Sequence, residues 1–315
     1  MDFQIQFARQ HLPHIARCTG RIRAENADFQ VDEILGFEPQ GEGEHLYLHI
    51  RKTGQNTHWV KELLARKLGV KPQDIGHSGL KDRHAVTTQW LSIYAPGNEP
   101  DLSDIDIDGV EILQCLRHTN KLRPGMHQYN RFGILVSGIT DAGDTELLLE
   151  KIDSHGFPNY FGEQRFGHDG NNLAVGWYLL QKRKLRQHKK KSIYLSALRS
   201  FVFNQLLTAR IEAAPDDISA FDMTGPLWGR GRLDICSEQE EFELQALKPW
   251  QPLCEALEFS GLNQERRALF QSAHELTWEW PQKDVLKLDF CLPPGSYATA
   301  LLHEVVNWYE TSERS

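Results

Sequence analysis

Strand-like alternation appears near both ends of this chain, with a long helical repeat between them, and that order restricts the fold more than any other feature. In Asp28–Ile34, Phe29 and Val31 point one way while Gln30 and Asp32 point the other, the pattern of a half-buried strand. Leu46, Leu48 and Ile50 predict a second strand after the turn-like GEGE at 41–44. Thr87–Ala95 and Arg131–Ser137 read as further strands, and the alternation returns at Leu286, Leu288 and Phe290. In between, Leu195, Leu198, Val202, Leu206 and Ala209 recur at helical spacing and predict a helix over Ser192–Ile211. Strands at both ends with helices between imply an α+β domain interrupted by an insertion.

Shorter helices fit the same frame. Thr57 is placed to cap a helix whose apolar face is Val60, Leu63, Leu64 and Leu68. A helix over Asp144–His155 is closed by Gly156 and Pro158. A Pro-Pro-Gly turn leads into a last helix carrying Leu301, Leu302, Val305 and Val306 on one face. The 315 residues suffice for roughly two domains.

No apolar run approaches the roughly 18 residues of a membrane span, and the start MDFQIQFARQHLPHI lacks the basic and apolar regions of a secretory leader. Residence in the cytosol is therefore expected. The five cysteines form no C-x-x-C pair and read as buried, reduced thiols. A net charge of −8 argues against indiscriminate coating of nucleic acid. Its distribution is uneven, however: KRKLRQHKKK at 182–191 is a dense basic run, and Arg117, Lys121, Arg123 and Arg131 form a looser one. One focused positive surface on an acidic protein suits a folded polyanion, although such a run also suits a solvated loop or helix face.

Gly79-Leu80-Lys81-Asp82-Arg83 sets a carboxylate between two cations just ahead of the strand at 87–95. Adjacent cations favour the ionised carboxylate, the form that a nucleophile or general base needs. A mixed-charge surface turn reads the same way, so these five residues alone do not decide. The longer string GLKDRHAVTTQ (79–89) resembles the signature of the TruD family of pseudouridine synthases. Other strings agree with that family in order and spacing: DFQVDEI (28–34), continued by GFEPQGEGEHLYLHIRKTGQNT, then NYFGEQRFG (159–167) and LPPGSYATALLHEV (292–305). The similarity runs from about residue 20 to 205 and again from about 276 to 306. The part between is weaker and shorter than in relatives.

The resemblance implies an α+β pseudouridine synthase catalytic fold, a mixed, largely antiparallel sheet with helices. That domain would be discontinuous, 1–155 and 272–315, around a mainly helical insertion at 156–271. It also implies isomerisation of uridine to pseudouridine in tRNA, at position 13 as in bacterial members. The implied enzyme uses no cofactor or metal, because no net oxidation or group loss occurs, and has no obligatory protein partner. Asp82 stands at the family's catalytic aspartate, which attacks either C6 of the base or C1′ of the sugar.

Other positions carry over singly. Phe29 stands where the family sets an aromatic ring against the target base, and Asn130 where an asparagine contacts the substrate. Tyr297 falls where relatives usually have Phe, and Phe132 where other pseudouridine synthases often have Tyr. Arg23 takes the place of a Lys that pairs with the catalytic Asp in some relatives, keeping the charge. Lys81 is expected to face phosphate or solvent, and Asn159, Gln164 and Arg165 to shape the cleft where core and insertion join. A uridine inside structured tRNA must be extruded before its glycosidic bond is reached, and the run at 182–191 could supply one phosphate-facing wall. Two other readings stay open: a non-catalytic RNA-binding module on the same fold, and a hydrolase using Asp82 with a histidine or a metal held by His11 and His14.

Overall fold

The structure, a computed structural model, describes residues 3–4, 18–97, 100, 102, 105–213, 223–231 and 235–310. The strands are β1 (Thr19–Arg21), β2 (Phe29–Ile34), β3 (His45–Thr53), β4 (Ile75–His77), β5 (Val86–Tyr94), β6 (Val110–His118) and β7 (Tyr129–Ser137). They continue with β8 (Phe157–Pro158), β9 (Thr224–Leu227), β10 (Glu265–Ala268), β11 (Phe270–Gln271), β12 (His274–Gln282), β13 (Val285–Leu292) and β14 (Asn307–Tyr309). The helices are α1 (Thr57–Leu68), α2 (Ala142–His155), α3 (Asn171–Gln181), α4 (Lys191–Ala213), α5 (Ser237–Ala246), α6 (Gln251–Glu258) and α7 (Ala298–Val305). The chain divides into two compact units.

The first unit, Arg17–Asp144 with Ala273–Gly295 and Val306–Ser315, holds a ten-stranded sheet. Its main path runs β12-β13-β7-β2-β5-β3-β6, with β4 beside β5 and the β1/β14 pair beside β7. In it β2/β5 and β1/β14 are parallel and the other strand pairs antiparallel, so the sheet is mixed and largely antiparallel, as the family resemblance implied. One edge of β5 is shared: β2 pairs with Val86–Thr88 and β4 with Leu91–Ile93. The connection from β4 to β5 therefore starts and ends beside the same strand, and it carries GLKDR. Apolar residues of β3, β4 and β5 pack with Val60, Leu64 and Ala65 of α1 to form the core of this face.

Helix α1 starts where the sequence indicates, but its cap is Asn56, whose side chain accepts from the His58 N–H at 2.8 Å. Thr57 is the first helical residue, and its hydroxyl is used elsewhere. Gly69, with φ +66°, ends the helix in the left-handed conformation. Strands β6 and β12 had no clear signal in the sequence. They are the outer strands of the sheet path and largely uncovered, so their alternation is weak. None of the described cysteines is in a disulfide; Cys18, Cys254 and Cys291 are buried, but Cys115 and Cys236 are exposed.

The second unit comprises Thr145–Ser272, Ser296–Val305 and Met1–Ala16. It takes in α7 and most of α2, which the expected 1–155/272–315 division leaves with the sheet. Helix α4 is its axis, with Leu198, Phe201, Phe203, Leu206 and Leu207 buried. Helix α3 approaches α4 closely at Gly176, where a Cβ would lie 3.1 Å from Tyr194. Strands β8 and β11 pair, as do β9 and β10, and α7 packs on β8. The basic run at 182–191 forms turns ahead of α4, held by buried Leu185 with most of its cations exposed. No helix among the described residues is long and apolar enough to cross a membrane.

Candidate active site

In the first unit the GLKDR turn is fixed by groups from three directions. The Thr57 hydroxyl, at the start of α1, accepts from the Lys81 N–H at 3.2 Å and donates to Gln89 Oε1 at 2.9 Å. The same Gln89 amide donates toward the Gly79 carbonyl at 3.4 Å, which accounts for the Gln ten residues beyond the glycine. From β3, Lys52 Nζ donates to the Asp82 carbonyl at 2.7 Å and the Gln55 carbonyl at 2.8 Å, with Lys81 O at 3.4 Å. Lys52 is fully buried, and burial pushes its ammonium down to about 8 against the pull of Asp82.

The Asp82 carboxylate is thus set on a braced backbone with its side chain about one third exposed. Arg23 Nη2 donates to Asp82 Oδ2 at 3.0 Å, while Nη1 pairs with Glu310 Oε1 at 2.6 Å. Oδ1 of Asp82 takes no hydrogen bond from the described residues. Arg23 is 5% exposed and has φ +53°, an uncommon conformation for a residue with a side chain. Such strain persists where surroundings hold it, often at functional positions. The guanidinium lies 4.0 Å from the Phe29 ring centroid. Phe29 in turn meets Phe132 edge-on at 6.2 Å, and Phe132 stacks on Phe290 at 5.3 Å. Asp82, Arg23, Phe29 and Phe132 therefore form one contiguous set. Phe29, the expected base platform, is only 1% exposed, with one ring face under Arg23.

Lys81 turns inward rather than toward phosphate or solvent. Its Nζ lies 2.6 Å from Glu33 Oε2, with the two side chains 4% and 0% exposed. The second Glu33 oxygen accepts from the Trp90 N–H at 3.1 Å. Beside this pair Asn130 Nδ2 lies 3.0 Å from His127 Nε2, and His127 Nδ1 lies 2.5 Å from Ser78 Oγ. Burial, assisted by Lys81, holds the His127 imidazole down to about 4, so it is neutral near pH 7. With Nε2 accepting from Asn130, Nδ1 carries the proton toward Ser78. Asn130 Oδ1 is buried with no hydrogen-bond partner among the described residues, which leaves its acceptor capacity unused.

The remaining expected residues lie in the second unit. Arg165 Nη2 donates to the Tyr297 hydroxyl at 2.6 Å, using the OH that Phe would lack, and Nη1 donates to Ser196 Oγ at 3.0 Å. Asn159 is 2% exposed; its Nδ2 donates to Ala268 O at 2.9 Å, and its Oδ1 accepts from Arg267. Gln164 is exposed.

Sequence reasoning missed Lys52, Glu33, His127 and Arg267. For two of them a signal existed. Glu33 shares the inward register of Phe29 and Val31, and Lys52 that of Leu46, Leu48 and Ile50, so each is a charge where a core residue is due. The described residues contain no group of three or more His, Cys, Asp or Glu able to hold a metal ion, and His11 and His14 lie outside them.

Comparison with known proteins identifies the family. The family described as tRNA pseudouridine synthase D (TruD) matches residues 9–187. A tRNA pseudouridine synthase D of Cellvibrio japonicus is 42% identical over 319 residues, covering 97% of this chain and 94% of that protein. One of Aeromonas hydrophila is 40% identical over 333 residues, covering 96% and 94%. A TruD crystal structure from Methanosarcina mazei superposes with a TM-score of 0.69 over 95% of both chains at 20% identity, a likeness of fold. A sheet that is mixed and largely antiparallel, an aspartate braced beside an arginine, and relatives matched almost end to end all point the same way: the chain belongs to the TruD family of tRNA pseudouridine synthases.

Proposed function

We propose that this chain isomerises uridine to pseudouridine in tRNA, at position 13, with Asp82 as the nucleophile. The observation that carries the reading is the Asp82 carboxylate, one third exposed and 3.0 Å from Arg23, on a turn that Lys52 and Thr57 brace. Arg23 holds Oδ2, and Oδ1 is left for attack. In the reaction Asp82 adds to C6 of the base or to C1′ of the sugar, and the N1–C1′ bond breaks. The uracil turns over, C5 bonds to C1′, the C5 proton leaves to solvent or a base, N1 takes up a proton in its place, and Asp82 is released. Every atom of the substrate is retained except that exchanged proton, so the chemistry calls for no redox or group-transfer cofactor.

Asn130 Oδ1 serves as acceptor for the uracil edge, and Phe29 with Phe132 as the aromatic wall against the base. Stacking on the covered face of Phe29 requires Arg23 to shift as the base arrives. Tyr297, Arg165 and Asn159 support RNA binding from the second unit, with residues 156–271 as an RNA-engaging insertion. Incubating the protein with unmodified tRNA transcripts and mapping pseudouridine by carbodiimide labelling tests the reading. Product at position 13 is expected from wild type, and none from Asp82→Asn, which still binds tRNA. A folded wild-type protein that forms no pseudouridine refutes the activity, and product at another uridine refutes the position. Equal activity of Asp82→Asn removes the nucleophile assignment.

A further inference from the structure

Among the described residues, Arg23, Arg51, Arg131, Arg199 and Arg266 each have a carboxylate within 3.4 Å. Arg165 and Arg267, both in the second unit, pair with none of the described carboxylates. Arg165 has only the hydroxyls of Ser196 and Tyr297. Arg267 directs Nη2 to the carbonyl and the side-chain oxygen of Asn159, which leaves Nη1 without a protein acceptor among the described residues. The Nε of both is buried and unpartnered.

The two cations share one aromatic floor. Arg267 stands 4.2 Å and Arg165 5.3 Å from the Phe161 ring centroid, and Tyr297 closes the cluster 6.0 Å from Phe161. That floor is fixed, because Asn204 accepts from the Phe161 N–H and donates to its carbonyl, each at 3.0 Å. Neutral acceptors and ring faces recover part of the hydration that a guanidinium loses, but they do not neutralise it. Burial lowers the Arg267 guanidinium to about 10; Tyr297 opposes the fall and the Arg165 charge adds to it. Two like charges held close, half-buried and without an acid, gain most from an anion that enters from outside. A guanidinium with a free edge fits the oxygens of a phosphodiester.

We propose that Arg165 and Arg267 form a phosphodiester-binding site for the RNA substrate on the second unit, with Asn159 and Tyr297 holding the two guanidiniums in position. This rests on the tRNA reading above and names a part of the RNA that the second unit holds. The site differs in kind from Lys182, Arg183, Lys184, Lys189 and Lys190, which are exposed and read as a general positive field.

The test is equilibrium binding of unmodified tRNA transcript to the full chain between about 50 and about 200 mM salt, for wild type, Arg165→Met and Arg267→Met. Each substitution should weaken binding about tenfold at low salt and flatten the log–log salt slope by about 0.7–0.9, one phosphate contact's worth. A second arm uses transcripts carrying single neutral methylphosphonate linkages. At least one such linkage should weaken wild type yet add nothing in the matching variant. If Arg267→Met does not fold, Arg165→Met and the linkage series decide. Arg165 leaves behind only hydroxyls that water can satisfy, so its loss is the milder one. A variant that binds more weakly with an unchanged salt slope marks a structural role and overturns the site. So do unchanged affinity and slope while wild type still makes pseudouridine, and that result leaves the activity intact. A wild type that neither binds nor modifies tRNA overturns both.

Discussion

Replacing Lys81 with methionine isolates the energetics of the buried pair that Lys81 of the GLKDR turn makes with Glu33. Lys81 Nζ is 2.6 Å from Glu33 Oε2, and water reaches neither side chain appreciably. Removing the ammonium leaves a carboxylate with one hydrogen bond, from the Trp90 N–H at 3.1 Å. Breaking one side of such a pair typically costs about 3–5 kcal/mol. At about 2–4 °C per kcal/mol for a unit of this size, melting should fall by about 6–20 °C. Burial, the largest influence on Glu33, already holds its carboxyl above the ordinary 4.5, with Lys81 the chief opposing influence, so the substitution raises it further.

The sign follows from linkage. A raised carboxyl gives the folded state the tighter hold on the proton, so its contribution to stability is present below 4.5 and lost as pH rises through the folded value. Lys81→Met should therefore lose little at acid pH, where the Glu33 carboxyl is protonated, and the full amount once pH has risen through its folded value. Glu33→Gln added to Lys81→Met removes the orphaned charge while keeping an acceptor for Trp90, and should recover most of the loss. Thermal melts of the three proteins across pH check this. A Lys81→Met protein melting within about 2 °C of wild type at pH 9, or a double variant no better than the single, would refute the account of the pair as a mutually dependent buried charge.

Other expectations follow from the same region. Lys52, lowered to about 8 by burial, should lose its proton as pH rises through that value, slackening its grip on the Asp82 carbonyl, so kcat should fall above about pH 8. Its stability contribution runs the other way, rising from about 8 toward the ordinary 10.5; Lys52→Arg should abolish the kcat inflection, and pH–rate profiles of both proteins read it. Arg23→Gln removes the partner that orients Asp82 and should lower kcat by about 10²-fold, with Arg23→Lys retaining more activity; single-turnover rates on tRNA measure both. His127, held down to about 4, supplies stability that is complete above 6.5 and lost as pH falls through about 4, on the order of 3 kcal/mol. Acid unfolding of His127→Gln should accordingly be shallower than that of wild type.

What the sequence disclosed and what it hid separate along physical lines. Strands covered on a face, such as β2, β3 and β13, display alternation because burial selects it, while β6 and β12 at the sheet margins do not. The Arg23–Asp82 pair was expected from family resemblance, since residues 59 positions apart carry no local pattern of contact. Lys81 was placed at phosphate or solvent because a lysine in a charged turn is normally exposed; its partner Glu33 lies 48 positions away in another strand. Arg267 lies in the stretch where the family resemblance is weak, and its partners come from the Asn159 segment.

The inward-facing charges of β2 and β3 explain how the GLKDR turn is held. The nucleophile proposed above calls for a partly exposed and fixed carboxylate, and the turn that carries Asp82 begins and ends beside β5, next to strand positions that would by default be apolar. A purely apolar floor would leave the carbonyls of Lys81, Asp82 and Gln55 without donors, and each such loss carries a desolvation penalty of about 1–3 kcal/mol. Lys52 answers all of these carbonyls at once, from the register that Leu46, Leu48 and Ile50 otherwise fill. Glu33 answers Lys81 from the register of Phe29 and Val31. The strands thus contribute aromatic and aliphatic packing along most of their inward faces and a single charge at the position that meets the turn. A charged residue in core register on two strands flanking a Lys-Asp turn is therefore a readable sign of a braced carboxylate. Exchanging Lys52 for an apolar residue of equal volume should disturb Asp82 more than it disturbs the sheet, because β3 keeps its ladder while the turn loses its donors.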